Sequence, residues 1–221
     1  MDEIKLIDVR QSILTDNANQ AEVIRHQLAS QRVFMLNVMA SPGAGKTSVI
    51  IQTIRGLKEQ LRIAVIEGDI ESVVDSEKIQ AEGIPAVQIR TGGACHLDAP
   101  MVSAALDNLD LEQYDLVFIE NIGNLICPAE FDTGADLQVM ILSVPEGDDK
   151  ILKYPLMFSI CDALIVNKLD YLNGSDFNLD LLRRRARELN PRIHLFEVSC
   201  KTGDGLDAWR RWLLDTVSAK R

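Results

Sequence analysis

Short apolar runs recur at Val33–Met39, Arg62–Glu67, Ala86–Ile89, Leu116–Ile119, Leu137–Val144, Ala163–Val166 and His194–Val198, and this rhythm constrains the fold more than any other feature. Polar segments with helical spacing lie between most of them, among them Lys46–Glu59, Phe177–Leu189 and Leu206–Val217. A run that is apolar on both faces has no solvent side. It therefore belongs in a parallel sheet whose two faces are covered by the helices that connect its strands. The expected fold class is α/β, Rossmann-like, with a mostly parallel sheet and helices on both faces. In such sheets ligands bind beyond the carboxyl ends of the strands, so chemistry is expected just after each run. Upstream, residues 10–30 are polar with Ile13, Leu14, Ala21, Ile24 and Leu28 at helical spacing, which predicts a helix. The 221 residues suit one domain, 1–221, with 1–32 as an N-terminal helical extension.

The first run ends in Ala40-Ser41-Pro42-Gly43-Ala44-Gly45-Lys46-Thr47-Ser48, a phosphate-binding loop of the Walker A type with Ala40 in place of its first glycine. Small residues let the backbone curl around phosphates, and the amides that open the following helix point inward. Gly43, Ala44, Gly45, Lys46, Thr47 and Ser48 form this cradle. Lys46 would reach the β and γ phosphates, and the Thr47 hydroxyl would bind Mg²⁺. The fold is thus expected to be that of a P-loop NTPase.

Two strand ends carry acids. Asp69 follows the second run, and Glu120 closes Leu116-Val117-Phe118-Ile119-Glu120, where a Walker B carboxylate holds Mg²⁺ directly or through water. Asp75 is expected in the loop after Asp69, where it could orient the attacking water. Lys46, Asp69, Asp75 and Glu120 are the catalytic candidates, with Thr47, Asp69 and Glu120 as the Mg²⁺ ligands.

Asn167-Lys168-Leu169-Asp170 ends another strand and matches the guanine-recognition tetrapeptide of GTPases. The Asp170 carboxylate can accept both N1–H and the 2-amino group of guanine. Adenine lacks that donor pair, and a site built on such bonds rejects the wrong partner by about 10⁴. Ser199-Cys200-Lys201, after the next strand, resembles the loop that backs guanine in many GTPases. GTP or GDP is the expected nucleotide.

A net charge of −10 argues against a nucleic-acid partner, since affinity there comes mainly from Lys and Arg neutralising phosphates. Met1-Asp2-Glu3-Ile4-Lys5 lacks the basic start and apolar run of a signal peptide, and the apolar runs fall short of the ~20 residues that cross a bilayer. A cytoplasmic protein with no membrane association is expected. Disulfides are then disfavoured for Cys95, Cys127, Cys161 and Cys200, leaving metal binding or burial. Cys95 and His96 are adjacent, and Cys127 follows the next strand, so all three can reach one end of the sheet. Two thiolates and an imidazole suit Ni²⁺ or Zn²⁺, with a position left open. The alternative is that these thiols are simply buried. Burial is also the reading for Cys161 and Cys200, and neither His26 nor His194 is given a function.

Together these motifs resemble the HypB family, the GTPases of nickel insertion into [NiFe]-hydrogenase. The likeness covers nearly the whole chain. It rests on 41–47, on Cys95-His96-Leu97-Asp98, on Phe118-Ile119-Glu120-Asn121-Ile122-Gly123-Asn124-Leu125-Ile126-Cys127-Pro128, on Glu146-Gly147-Asp148-Asp149 and on Asn167-Lys168-Leu169-Asp170. The resemblance implies a nucleotide-dependent homodimer of the same broad class as the signal-recognition GTPases. It implies a Ni²⁺ or Zn²⁺ site of Cys95, His96 and Cys127 at the dimer interface, with Lys153 facing the nucleotide of a second subunit. The implied partners are a HypA-like metal-binding protein and the [NiFe]-hydrogenase large subunit. The first 90 residues hold no cysteine and one histidine, so an N-terminal nickel-storage site is not expected. Two alternatives stand beside this reading. A urease-type nickel GTPase is disfavoured by the directly adjacent Cys95-His96, and an ATP-dependent small-molecule kinase by Asn167-Lys168-Leu169-Asp170.

Overall fold

The computed structural model describes residues 9–71 and 74–220. Seven strands form one sheet: β1 Phe34–Ala40, β2 Ile63–Asp69, β3 Ala86–Arg90, β4 Leu116–Glu120, β5 Leu137–Ser143, β6 Ala163–Asn167 and β7 His194–Glu197. Nine α-helices accompany them among the described residues: α1 Val9–Gln31, α2 Lys46–Leu57, α3 Val74–Gln80, α4 Ala99–Leu106, α5 Cys127–Glu130, α6 Lys150–Lys153, α7 Pro155–Ile160, α8 Leu179–Leu189 and α9 Leu206–Lys220. Met1–Lys5, on which the leader argument rested, lies outside the described residues.

The strand order is β3-β2-β4-β1-β5-β6-β7, and every neighbouring pair is parallel, so the sheet is wholly rather than mostly parallel. From β1 the chain first builds one flank and later the other. A crevice therefore opens at the carboxyl end of β1, where the order reverses. Register sets what meets there. Val38 and Glu67 both pair with Glu120, and Ser143 pairs with Asn167.

One face of the sheet buries Ile50 and Ile54 of α2 with Trp209 and Leu213 of α9. The opposite face divides. Ala21, Ile24 and Leu28 of α1 and Val102 of α4 cover β2, β4 and the start of β1, while α7 and α8 cover β5 and β6. The N-terminal helix is thus a layer of the sandwich. Its buried stripe differs from the expected one, because Ile13 is exposed and Asn17 takes a buried place instead. Asn17 donates to Asp132 O at 2.9 Å and accepts from Ala99 N at 2.8 Å. A polar side chain is stable there because both of its functions are satisfied.

Two boundaries matter for the site. β2 runs on to Asp69, so Glu67 lies inside a strand and points into the protein. Asp75, expected in a loop, sits in the first turn of α3, where it pairs with Lys78 at 2.6 Å. The acid suits that position because it faces the positive end of the helix.

Helices α2 and α9 are joined by a buried bond from Trp209 Nε1 to Thr53 Oγ1, 2.8 Å long. Thr53→Val keeps the shape but leaves the indole N–H without an acceptor, so unfolding in urea should show a loss of about 1–3 kcal/mol. An unchanged midpoint would refute a structural role for this bond.

Candidate nucleotide and metal site

The phosphate loop leaves β1 at Ala40 and enters α2 at Lys46. Gly43 and Gly45 have φ of 77° and 100°, in the left-handed region that glycine adopts without a Cβ penalty. At Gly45 space decides as well, since a Cβ would lie 2.5 Å from Asn167 Nδ2. That contact belongs to a latch. Asn167 Nδ2 donates to Ala44 O at 3.0 Å, and Lys168 Nζ donates to Gly43 O at 2.8 Å. Lys168 itself has φ 61°, which turns the chain sharply after β6. Two residues of the base-recognition tetrapeptide therefore brace the phosphate cradle.

On one side of the cradle lies a cleft lined by Gly45, Ser48, Gln52, Asn167, Lys168, Asp170, Tyr171, Cys200 and Lys201. Ser199 Oγ donates to Asp170 Oδ1 at 2.7 Å, and Lys201 Nζ lies 3.7 Å from Oδ2. The Ser199 hydrogen bond is the main cause holding the Asp170 carboxyl below its ordinary pKa, so it is an acceptor at neutral pH. Cys161 is buried as expected, whereas Cys200 is only half-buried and forms part of this cleft wall. Gln52 and Tyr171 also line it and carried no sequence signal, being single residues outside any motif.

On the other side Lys46, Asp69, Asp75 and Glu120 line a second cleft together with Glu67. Thr47 Oγ1 donates to Glu120 Oε1 at 2.7 Å. Oxygens of Glu67, Asp75 and Glu120 lie within 4.8 Å of one another. Asp69 stays outside that cluster and accepts from Glu71 N at 2.9 Å. Glu67 is the residue that sequence reasoning missed. It is 3% exposed, Glu120 is 2% exposed, and each has one oxygen that is buried without a partner. Burial, followed by the neighbouring Glu120 charge, pushes Glu67 up to about 11, and burial raises Glu120 as well. Orphaned carboxylate oxygens crowded beside a threonine hydroxyl are the donor set of a hard divalent cation such as Mg²⁺.

The thiol cluster stands nearby. Cys95 and His96 follow β3, and Cys127 opens α5 after β4. Cys95 Sγ lies 2.7 Å from Cys127 Sγ and 3.8 Å from His96 Nδ1, and one ligand atom from each residue falls within 4.8 Å of the others. Asn124 Nδ2 donates to Cys95 O at 3.2 Å, tying the two segments together. The His96 ring stacks on Phe131 with centroids 3.8 Å apart, and burial lowers its pKa, so the neutral imidazole keeps a lone pair for a cation. Hydrogen bonding to Cys127 raises the Cys95 thiol, as two close thiols resist ionising without a metal between them.

Lys153 lies apart from both clefts, exposed on α6 and paired with Asp149 at 2.5 Å. His26 is an exposed residue of α1, and His194 is a β7 residue tilted against Trp212.

The chain matches the CobW/HypB/UreG nucleotide-binding domain family over residues 33–197. It is 46% identical, over all of its length and 73% of the relative's, to the hydrogenase maturation factor HypB of Rhizobium leguminosarum bv. viciae. It is 42% identical, over 96% of its length and 73% of the relative's, to HypB of Escherichia coli K12. The crystal structure of HypB from Helicobacter pylori in complex with nickel superposes with a TM-score of 0.88 at 36% identity, covering 92% of this chain and 96% of that one. The phosphate cradle, the guanine-type tetrapeptide and the Cys-His-Cys cluster thus sit in a chain that belongs to the HypB hydrogenase maturation factors of the CobW/HypB/UreG family.

Proposed function

We propose that the protein is a GTP-hydrolysing nickel metallochaperone, acting as a nucleotide-dependent homodimer in the maturation of [NiFe]-hydrogenase in the cytoplasm. The observation that carries this reading is the placement of two unlike sites on one short stretch. Glu120 ends in the phosphate cleft and Cys127 in the thiol cluster, with residues 121–126 between them. The nickel-bound Helicobacter relative supports Ni²⁺ as the cargo, and Cys95, His96 and Cys127 are the donor set that would take it. The same donors accept Zn²⁺.

Each residue has a role. Lys46 and the amides of 43–47 hold the β and γ phosphates. Thr47 and Glu120 would hold Mg²⁺ with Glu67 beside them, while Asp69 lines the same cleft outside that cluster. A cation held there would supply neutralisation of phosphate charge. Asp75 orients the attacking water and takes its proton. The water oxygen bonds to the γ phosphorus, the bond to the β–γ bridging oxygen breaks, and GDP and phosphate leave. Asn167 and Lys168 stiffen the cradle, while Asp170, backed by Ser199, Cys200 and Lys201, selects guanine. Lys153 serves the nucleotide of a second copy, and delivery involves a HypA-like protein and the hydrogenase large subunit. Loss of the γ phosphate relaxes the segments around Asp69, Asp75 and Glu120 in the manner of switch regions and so changes the hold on Ni²⁺.

Comparing Ni²⁺ affinity in the presence of GDP and of a non-hydrolysable GTP analogue with Mg²⁺ tests the coupling, and equal affinities would remove it. Asp170→Asn replaces an acceptor with a donor. It should weaken GDP at least ~100-fold and admit xanthosine diphosphate, whose C2 carbonyl accepts from the amide. Undiminished GDP binding by this variant would refute guanine selection. Lys46→Ala should abolish saturable binding of the GTP analogue. The double variant Cys95→Ser/Cys127→Ser should remove the thiolate-to-nickel charge-transfer absorption that wild-type protein develops on Ni²⁺ titration, and a persisting band would place the ion elsewhere.

A further inference from the structure

Two segments that line the phosphate cleft both grip Leu97, the residue directly after His96. The first grip is a hydrogen bond. Asn121, adjacent to Glu120 and fully buried, accepts the Leu97 amide at 3.1 Å on Oδ1 and the Ile122 amide at 2.9 Å on the same atom. Its Nδ2 donates to Asn37 Oδ1 at 3.1 Å, and Asn37 in turn donates to Gln138 Oε1 at 2.9 Å. The Asn121 amide donates to Val38 O at 3.0 Å. With both lone pairs and an amide proton engaged, the Asn121 side chain has no freedom to turn independently of its backbone.

The second grip is steric. Gly68 lies between Glu67 and Asp69, and a Cβ placed there would fall 2.7 Å from Leu97 Cδ1 and 2.9 Å from Cγ. The side chain of Leu97, 0% exposed, is thus seated against bare backbone of β2. Close-packed contacts of this kind transmit displacement, since an interior side chain cannot yield without moving its neighbours. Glu67 and Asp69 on one strand and Glu120 on the next face the same cleft. A shift of either strand end on nucleotide exchange reaches Leu97 and, one peptide bond on, the imidazole that Phe131 holds by stacking.

We propose that Leu97 is the positioning residue that transmits nucleotide state to the Cys95-His96-Cys127 cluster, held to the Glu120 segment by Asn121 and seated against β2 at Gly68. This rests on the coupling proposed above and assigns it to an element. Asn121 lines the phosphate cleft beside Glu120, and through this bond it also fixes the segment that carries His96.

The test is Ni²⁺ titration, followed by charge-transfer absorption, of full-length protein loaded with GDP or with the non-hydrolysable analogue and Mg²⁺. The quantity is the ratio of the two affinities, which a general loss of stability would not change. Where wild type shows a ratio in the range of about 5–150, Asn121→Ala and Gly68→Ala should each bring it to within about twofold of one, and Leu97→Met, close in volume, should keep it near wild type. Each variant is checked for folding by thermal unfolding; because a Cβ at Gly68 also meets Glu120 O at 3.1 Å, Leu97→Ala, which leaves the cleft backbone unchanged and should likewise bring the ratio to within about twofold of one, decides if Asn121→Ala does not fold. Folded Asn121→Ala, Gly68→Ala or Leu97→Ala protein that keeps the wild-type ratio overturns the assignment to Leu97 while leaving the coupling intact. A wild-type ratio of one removes the coupling itself, and this assignment with it.

Discussion

Glu67, two residues before the end of β2, meets Glu120 at the end of β4 side by side, and both are almost entirely out of water. Two carboxylates so placed repel each other and have lost their hydration, so they retain both charges only against a cation and otherwise hold a proton. The rest of the site is arranged around this constraint. Thr47 donates to Glu120, and Lys46 opposes the rise in both carboxyls, yet burial outweighs it. The cradle can present Lys46 and Thr47 there only if its glycines hold their left-handed turns. Asn167 and Lys168 secure those turns from β6.

The polar side chains beneath this cleft form a second level of order. Asn37, Asn121 and Gln138 run across β1 and its neighbours as a hydrogen-bonded row in otherwise apolar surroundings. Such a row is costly if half-satisfied and specific if complete. Here it fixes the height of the β4 exit loop relative to the sheet, and through Leu97 the height of the β3 exit loop. Asn17 of α1 does the same further out, bridging Ala99 and Asp132, which follow the two ligand-bearing segments. The metal ligands themselves sit near the rim, but the backbone that carries them is tied to the interior at several points.

Much of this could be read from the residues. Apolar strands alternating with helices announce a parallel sheet, because the connecting helices cover both of its faces. The phosphate loop and the Asn167-Lys168-Leu169-Asp170 tetrapeptide are local, so their meaning survives without coordinates. Glu67 was hidden because it lies within a run read as ending there, and a charged residue at the edge of a strand looks solvated until register places it beside Glu120. Asp75 was assigned to a loop because a seven-residue helix offers too few turns to display a periodicity. Asn17 broke the expected stripe of α1 because its partners, Ala99 and Asp132, are distant in sequence. Phe131 gave no sign, as stacking on His96 depends on how the stretch after Cys127 folds back. What sequence conceals here is what depends on pairs far apart along the chain.

Magnitudes limit what the nucleotide can do to the metal. Coupling between two sites is worth about 1–3 kcal/mol, and a linkage made of one buried hydrogen bond and one packed side chain belongs in that range. Thiolate and imidazole sites hold a borderline-soft divalent ion far more firmly, by about 10–16 kcal/mol in structural zinc sites at neutral pH. On the proposed coupling, GTP hydrolysis would therefore not eject the ion unaided; it would weaken the hold enough to favour exchange. Exchange needs an acceptor that ligates the ion before the last thiolate lets go, and so it needs an open coordination position. The three candidate ligands would leave that position open, and Cys95 is exposed at the rim where an acceptor can approach. On the proposed coupling the cluster is suited to transfer between ligands, with the nucleotide setting when transfer is favourable and the incoming donor supplying the rest of the free energy.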